Sequence, residues 1–246
     1  MIENKTKNLK ALISICVYNE EKKIGTVLEK IKALTLPIEY DVIIIDDGST
    51  DETESICKNS GYFVIRHEKN QGVGSSIRDA IKFGIKNNFD ILIAISGNGK
   101  TQSEDIEKML NPIITENFDF VKGSRYLKGG TSPNLPLFRN IMIRLYSFIV
   151  SIFMVKKITD VTCLIGAYKL NIFNNENINI DQQWLDKYEM EYYILYKVLK
   201  YKYKFIEVPV NIVYPPTKKN YSKIKPFSGW WSMIRPWIFL ILGIKK

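Results

Sequence analysis

Short apolar runs alternate, through the first half of the chain, with segments whose apolar positions recur every three or four residues. Residues 11–17, 40–46, 62–66, 91–95 and 118–123 are β-rich and nearly continuously apolar, the pattern of strands covered on both sheet faces. Residues 20–33 place Ile24, Val27, Leu28 and Ile31 on one helical face. A second helix is predicted to begin near Asp51, capped by Ser49 or Thr50, and further helices at 77–85 and 105–114. This order predicts an α/β fold, a mostly parallel sheet flanked by helices, with strand C-terminal ends along one edge, where open sheets bind ligands.

After Gly130 the pattern changes. Pro133 and Pro136 precede a long helical stretch whose uncharged run, 146–155, has basic residues on both sides; ten residues are too few to span a bilayer, and no spanning helix or internal repeat is read. A second apolar run, 237–244, follows Trp230, Trp231 and Arg235 and ends in Lys245 and Lys246, the mixture of tryptophan and cation expected of a helix lying in an interface. We divide the chain into a domain over 1–226 and a tail over 227–246 that binds a membrane surface, packs on the core or meets a second copy.

Thirty-five basic against 26 acidic residues give a formal charge of +9, which favours anionic partners. The basic residues are scattered and the aromatics sit in apolar segments, a distribution that reads against nucleic acid and for a lipid surface or a nucleoside diphosphate. Cys16, Cys57 and Cys163 are far apart and odd in number, which suits a reducing cytoplasm, and no signal-peptide pattern follows the polar N-terminus.

Two acidic clusters end the first two strands: Tyr18-Asn19-Glu20, and Asp46-Asp47-Gly48-Ser49-Thr50-Asp51. Carboxylates there can accept hydrogen bonds from a pyrimidine N–H or a ribose hydroxyl, and Gly48 permits a tight exit from the strand. Adjacent like charges at the end of an apolar strand cost stability unless something uses them. The reading therefore requires Asp46 and Asp47 to face a cavity rather than lie buried against cations. Together with Asn70-Gln71-Gly72-Val73-Gly74 and the following Ser75, Arg78 and Ala80, these motifs resemble the family-two glycosyltransferases with the GT-A fold. The resemblance implies a nucleoside-diphosphate sugar as donor, with Tyr18, Glu20, Asp47 and the Gly72 loop around its base and ribose. It places Asp46 in the same pocket and Arg78 towards the diphosphate.

In that family an acidic D-x-D pair holds a divalent ion at the end of the fourth strand. Here Ser96-Gly97-Asn98-Gly99-Lys100 stands in its place, and hard cations prefer anionic oxygen. Two readings follow: Mg²⁺ or Mn²⁺ is held chiefly by the diphosphate with Asn98 as its protein ligand, or Lys100 and nearby cations neutralise the leaving group. Gly97, Gly99 and Glu104-Asp105 keep the family's loop form. Gly123-Ser124-Arg125-Tyr126 resembles the G-S-R-Y segment of polyprenyl-phosphate sugar transferases, implying a phosphate clamp at Arg125. Asp160, Thr162, Ala167 and Tyr168 match the family's D-x-T-x-G-F-R-A-Y, whereas Leu164, Ile165 and Gly166 replace Gly-Phe-Arg. The missing arginine lies near the acceptor phosphate in the family, so a hydroxyl acceptor stays open beside a lipid phosphate. Tyr188-Glu189-Met190-Glu191, Glu207-Val208-Pro209-Val210 and Tyr221-Ser222-Lys223-Ile224 also resemble family segments, with Lys223 near a diphosphate or membrane phosphate or else a solvated loop lysine.

The resemblance implies inversion at the anomeric carbon and transfer to a lipid-linked or glycan acceptor in cell-surface glycan synthesis, at the inner face of the cell membrane. A hydroxyl acceptor needs a base. Asp160 is the first candidate and Glu191 the second; Glu189 and Glu191 cannot face the same way, so one is expected at the surface. His67 reads as structural. The rival is a catalytically silent protein that binds nucleotide sugars.

Overall fold

The computed structural model describes residues 9–163, 165–216 and 228–245. Seven strands, β1 (Lys10–Val17), β2 (Glu39–Asp46), β3 (Phe63–Arg66), β4 (Ile91–Ser96), β5 (Phe120–Ser124), β6 (Gly166–Lys169) and β7 (Phe205–Pro209), form one sheet in the order β3-β2-β1-β4-β6-β5-β7. Only β6 runs antiparallel to its neighbours, so the other six strands end along a common edge. Five of the strands lie where the apolar runs predict them.

Period-two alternation feeds two cores. Leu12, Ile43, Ile45, Leu92 and Ala94 point to one face, and Ala11, Ile13, Ile15, Ile44, Ile91 and Ile93 to the other. Helices α1 (Glu21–Lys32) and α4 (Glu104–Glu116) cover the second face, α1 through the predicted Ile24, Val27, Leu28 and Ile31. Helices α3 (Val73–Lys86) and α6 (Glu189–Lys200) cover the first. The short α2 (Thr53–Asn59) corrects the expected cap. Neither Ser49 nor Thr50 caps it; Ser49 Oγ is turned back onto Asp46, and Asp51 accepts the Thr53 N–H at 3.0 Å instead.

Helix α5 (Leu137–Met154) corrects a second expectation. It has 18 residues and is long and apolar enough, by length and composition, to cross a membrane, because Arg139 and Arg144 interrupt the apolar sequence without ending the helix. Ile143, Ser147 and Val150 face inward, and most of the remaining surface is exposed hydrocarbon. The tail folds as α7 (Ser228–Ile241), with Trp237 and Leu240 buried on α6. The Tyr221–Ile224 motif, Leu164 and the 226/227 boundary lie outside the described residues.

Candidate active site

Strand β1 sits between β2 and β4, so its two flanking connections leave in opposite directions and open a crevice at the C-terminal ends of β1 and β4. Half-buried Tyr18 and largely buried Glu20 lie on the β1 side. Asn19, in the left-handed region at φ 49°, accepts the Thr50 N–H at 2.8 Å, while its own N–H donates to Ser49 Oγ at 3.0 Å. The Glu20 N–H donates to Thr53 Oγ1 at 2.8 Å. These bonds tie the β1–α1 loop to the β2–α2 loop as one rigid rim.

Asp46 and Asp47 lie buried against cations and do not face the crevice, so the condition that the sequence reading sets on them fails. The two carboxylates cannot themselves hold a base or ribose, and any donor site must be built from the loops that they fix. Asp46 is fully buried, accepting from Ser49 N and Oγ and lying 3.3 Å from Arg66 Nε. The Asp47 carboxylate is saturated by His67 Nδ1 at 2.7 Å, Asn70 Nδ2 at 2.9 Å and the Gln71 and Gly72 N–H groups at 2.8 Å each. Its charge shapes the 70–72 loop from beneath. His67 Nε2 meets Asp79 at 2.8 Å, and hydrogen bonds to Asp47 and then Asp79 push the imidazole pKa up to about 9. His67 is thus structural, as read, and also the anchor of the loop.

Gly72 takes φ 112°, and a Cβ there would lie 2.5 Å from the Asp186 carbonyl oxygen, so only glycine allows this approach. Arg78 holds the same segment: it donates to the Ile180 and Gln182 carbonyls at 2.7 and 3.1 Å and to Asp186 at 2.7 Å. Three of its five N–H donors thus hold the 180–186 segment, which gives Arg78 a positioning role in place of the expected diphosphate contact.

Across the crevice, the Gly97 N–H donates to the Cys16 carbonyl at 2.9 Å, and Asn98 Oδ1 accepts the Lys100 N–H at 3.1 Å, closing a tight turn. The Val213 N–H donates to the Lys100 carbonyl at 3.1 Å, and Lys100 Nζ lies 5.2 Å from the centre of the Tyr214 ring. The Arg139 guanidinium sits over the same ring at 5.9 Å.

Arg125 and Asp160 meet, but as a buried pair. Nε and Nη2 of Arg125 donate to the two Asp160 oxygens at 2.7 Å each, and further bonds run to Thr162 Oγ1 and to the Tyr214 hydroxyl. Burial pushes the Asp160 pKa up, but the Arg125 charge and hydrogen bonds outweigh it and hold the carboxyl below its ordinary value. This corrects the expected base at Asp160 and the expected phosphate clamp at Arg125: a carboxylate so stabilised is a poor proton acceptor, and four of the guanidinium's five N–H donors are already used. Glu207 supports this pair by accepting from Thr159 N and Oγ1 and from Asp160 N at 2.7, 2.8 and 3.0 Å.

Neither acid of α6 lies at the surface, contrary to expectation. Glu189 is bound by Ser232 Oγ and Arg235 Nη2 of α7, both at 2.5 Å. Glu191 is 7% exposed, its Oε2 is buried without a hydrogen-bond partner, and burial pushes its pKa up to about 8 despite the opposing Lys122 charge. Its electrostatic influence reaches Cys16 and Tyr168 under the crevice floor.

A sheet of this order, with its crevice at the switch point and loops locked across it, defines an α/β domain of the GT-A type. Residues 12–175 match the family model described as Glycosyl transferase family 2, and the chain belongs to that family. The UDP-N-acetylglucosamine–dolichyl-phosphate N-acetylglucosaminyltransferase of Methanococcus voltae is 28% identical over 81% of this chain and 84% of its own length. The dolichyl-phosphate beta-glucosyltransferase of Homo sapiens is 26% identical over 98% and 76% respectively. Among solved structures, glucosyl-3-phosphoglycerate synthase from Mycobacterium tuberculosis, in complex with Mn²⁺, UDP and glucosyl-3-phosphoglycerate, superposes with a TM-score of 0.70 over 100% of this chain and 84% of that one, at 16% identity. That likeness bears on the fold alone.

Proposed function

We propose that the chain is an inverting transferase that moves a hexose-type sugar from a nucleoside diphosphate to a lipid-linked or glycan acceptor, at the inner face of the cell membrane in cell-surface glycan synthesis. The observation that carries this reading is the Asp47 cluster. Four donors converge on one carboxylate and shape the 70–72 loop at the crevice rim, beside Tyr18 and the Lys23–Glu20 ion pair, and this rim is where a base and ribose would lie. The relatives acting on dolichyl phosphate support a lipid-linked acceptor.

The residues of the 96–100 turn do not fit a resident divalent ion. Their side-chain oxygens are neutral, Asn98 Oδ1 is engaged within the turn, and no group of three His, Cys, Asp or Glu able to hold a metal occurs among the described residues. A Mg²⁺ or Mn²⁺ ion would arrive with the diphosphate as part of the substrate. Lys100, held against Tyr214, supplies positive charge on that side of the crevice.

For a hydroxyl acceptor, its oxygen attacks the anomeric carbon, the bond from that carbon to the diphosphate oxygen breaks, and the hydroxyl proton passes to Glu191. An ionised lipid phosphate attacks without giving up a proton. Incubating the purified full-length chain with radiolabelled uridine, guanosine and cytidine diphosphosugars and a membrane extract tests the proposal: product is expected from at least one donor. The neutral 96–100 turn specifically favours the silent alternative, and nucleotide binding with no turnover from any donor would establish it in place of transfer.

A further inference from the structure

Charge is divided unevenly along the chain. Residues 120–158 and 208–246 contain 14 of the 35 basic residues and none of the 26 acids, so the remainder carries 21 basic and 26 acidic residues. These two acid-free stretches contain α5 and α7, the helices with the most exposed hydrocarbon. On α5, Phe138, Met142, Leu145, Phe148, Ile152 and Phe153 are exposed; on α7 and just after it, Trp231, Ile234, Ile238, Ile241 and Leu242 are. Both helices lie against α6, with Tyr146 and Tyr192 in edge contact, Trp237 against Tyr192 and Tyr196, and the Tyr146 hydroxyl donating to the Met233 carbonyl at 2.5 Å.

We infer that α5 and α7 together form a platform that docks the domain on an anionic lipid bilayer, lying in its interface rather than crossing it. Hydrocarbon on this scale, with exposed Arg144, Lys156, Lys157 and Lys245 on or just beyond these helices in acid-free sequence, complements an anionic headgroup layer over an acyl boundary. Helix α5 is also stapled to the domain. Ser147 Oγ accepts the Val161 N–H at 3.0 Å, and Ser151 Oγ donates to the Ile158 carbonyl and accepts its N–H, each at 3.0 Å. A spanning α5 would break these bonds and carry Arg139 and Arg144 into hydrocarbon.

The platform adjoins the crevice edge. The Arg144 guanidinium stacks over the Tyr126 ring at 4.3 Å, next to Arg125, and Arg139 over Tyr214. This inference deepens the lipid-acceptor reading, but vesicle binding is measured without donor or acceptor, so failure of either is seen separately.

The test is co-sedimentation of the full chain with phosphatidylcholine vesicles, with and without 30% phosphatidylglycerol, in low and high salt. Binding is expected on the anionic vesicles, at least tenfold weaker on neutral ones, and reduced by salt. Each basic residue removed among Arg144, Lys156 and Lys157 is expected to weaken it about fivefold. Phe148→Ser with Phe153→Ser is expected to reduce it at least tenfold without altering the circular dichroism spectrum. Three results would overturn the inference: no sedimentation on any vesicle, retention through an alkaline carbonate wash as for a spanning helix, or a dimer in solution that the two Phe→Ser changes convert to monomer.

Discussion

Replacing His67 by Gln isolates the charge that holds the candidate nucleotide loop. In the folded protein the imidazole lies between Asp47 and Asp79 with a pKa raised from 6.5 to about 9. A raised pKa means that the folded state binds the proton more tightly. The stabilisation is complete below the unfolded value of 6.5, begins to fall as pH rises above it, and is gone once pH passes 9. The side chain is only 5% exposed, so screening by water is slight, and the full effect is about 3 kcal/mol, of which about 2 kcal/mol is lost between pH 7 and pH 10. The assay is urea denaturation of wild type and His67→Gln at half-unit pH steps over that range. Lysines, tyrosines and Glu191 titrate in both proteins, so the difference between the two curves belongs to His67 with Asp47 and Asp79. The gap is expected to shrink by about 2 kcal/mol between pH 7 and pH 10. Parallel curves would refute the argument that the aspartates share a charged imidazole.

Asp160→Asn is expected to lower stability by about 3–5 kcal/mol, because it leaves the Arg125 charge buried without its partner; a melting temperature within two degrees of wild type would contradict this. Gly72→Ala is expected to weaken donor binding in calorimetry at least tenfold, since the new methyl meets the Asp186 carbonyl and forces the loop outward; unchanged affinity would separate the loop from the donor. Glu191→Gln is expected to lower kcat by about 10²–10⁴ for a hydroxyl acceptor and to abolish the rise in rate as pH climbs towards 8. The raised Glu191 pKa also means that wild-type stability falls as pH rises from 4.5 to about 8, so the Gln variant should gain on wild type across that window. Chelation of divalent ions is expected to reduce turnover less than tenfold, and complete loss would show that the 96–100 turn recruits an ion despite its neutral oxygens.

Strands β1 to β5 are legible because each is a short apolar run, and α1 because Ile24, Val27, Leu28 and Ile31 repeat with helical period. The short β6 was missed because Gly166-Ala167-Tyr168-Lys169 is too brief to show a period and pairs antiparallel between strands distant in sequence. The reach of α5 was underestimated because Arg139 and Arg144 look like boundaries when charge is read residue by residue, although a helix carries them at its surface. The motifs located the crevice but not the direction of their side chains. Asp46, Asp47, Arg78, Arg125 and Asp160 all turned inward, onto partners up to 108 positions away, and no local pattern encodes such a partner. One signal was available: parallel pairing of β2 with β3 sets Asp46 opposite Arg66, which brings His67 beside Asp47.

Inward-facing acids do not by themselves favour a silent binding protein over an enzyme, because their partners differ in kind. Asp46, Asp47, Asp105, Asp160 and Glu189 are buried, and each has a cation or hydrogen-bond donors fixed upon it, so each has a structural reason for its place. Glu191 departs from this rule. Asp46 Oδ2 and Glu189 Oε2 are also buried without a hydrogen bond, but those carboxylates have Arg66 and Arg235 in ion-pair contact. Glu191 Oε2, by contrast, is buried with no donor, and Lys122, the cation that lowers its pKa, donates instead to the Asp160 and Cys163 carbonyls at 2.5 Å each. A buried carboxyl without a donor destabilises the fold, and relaxation to glutamine or leucine lies one substitution or a few away. Keeping an acid there, with a pKa near neutrality and below the floor of the crevice, is consistent with a group that exchanges a proton and is difficult to account for in a domain that only holds a nucleotide.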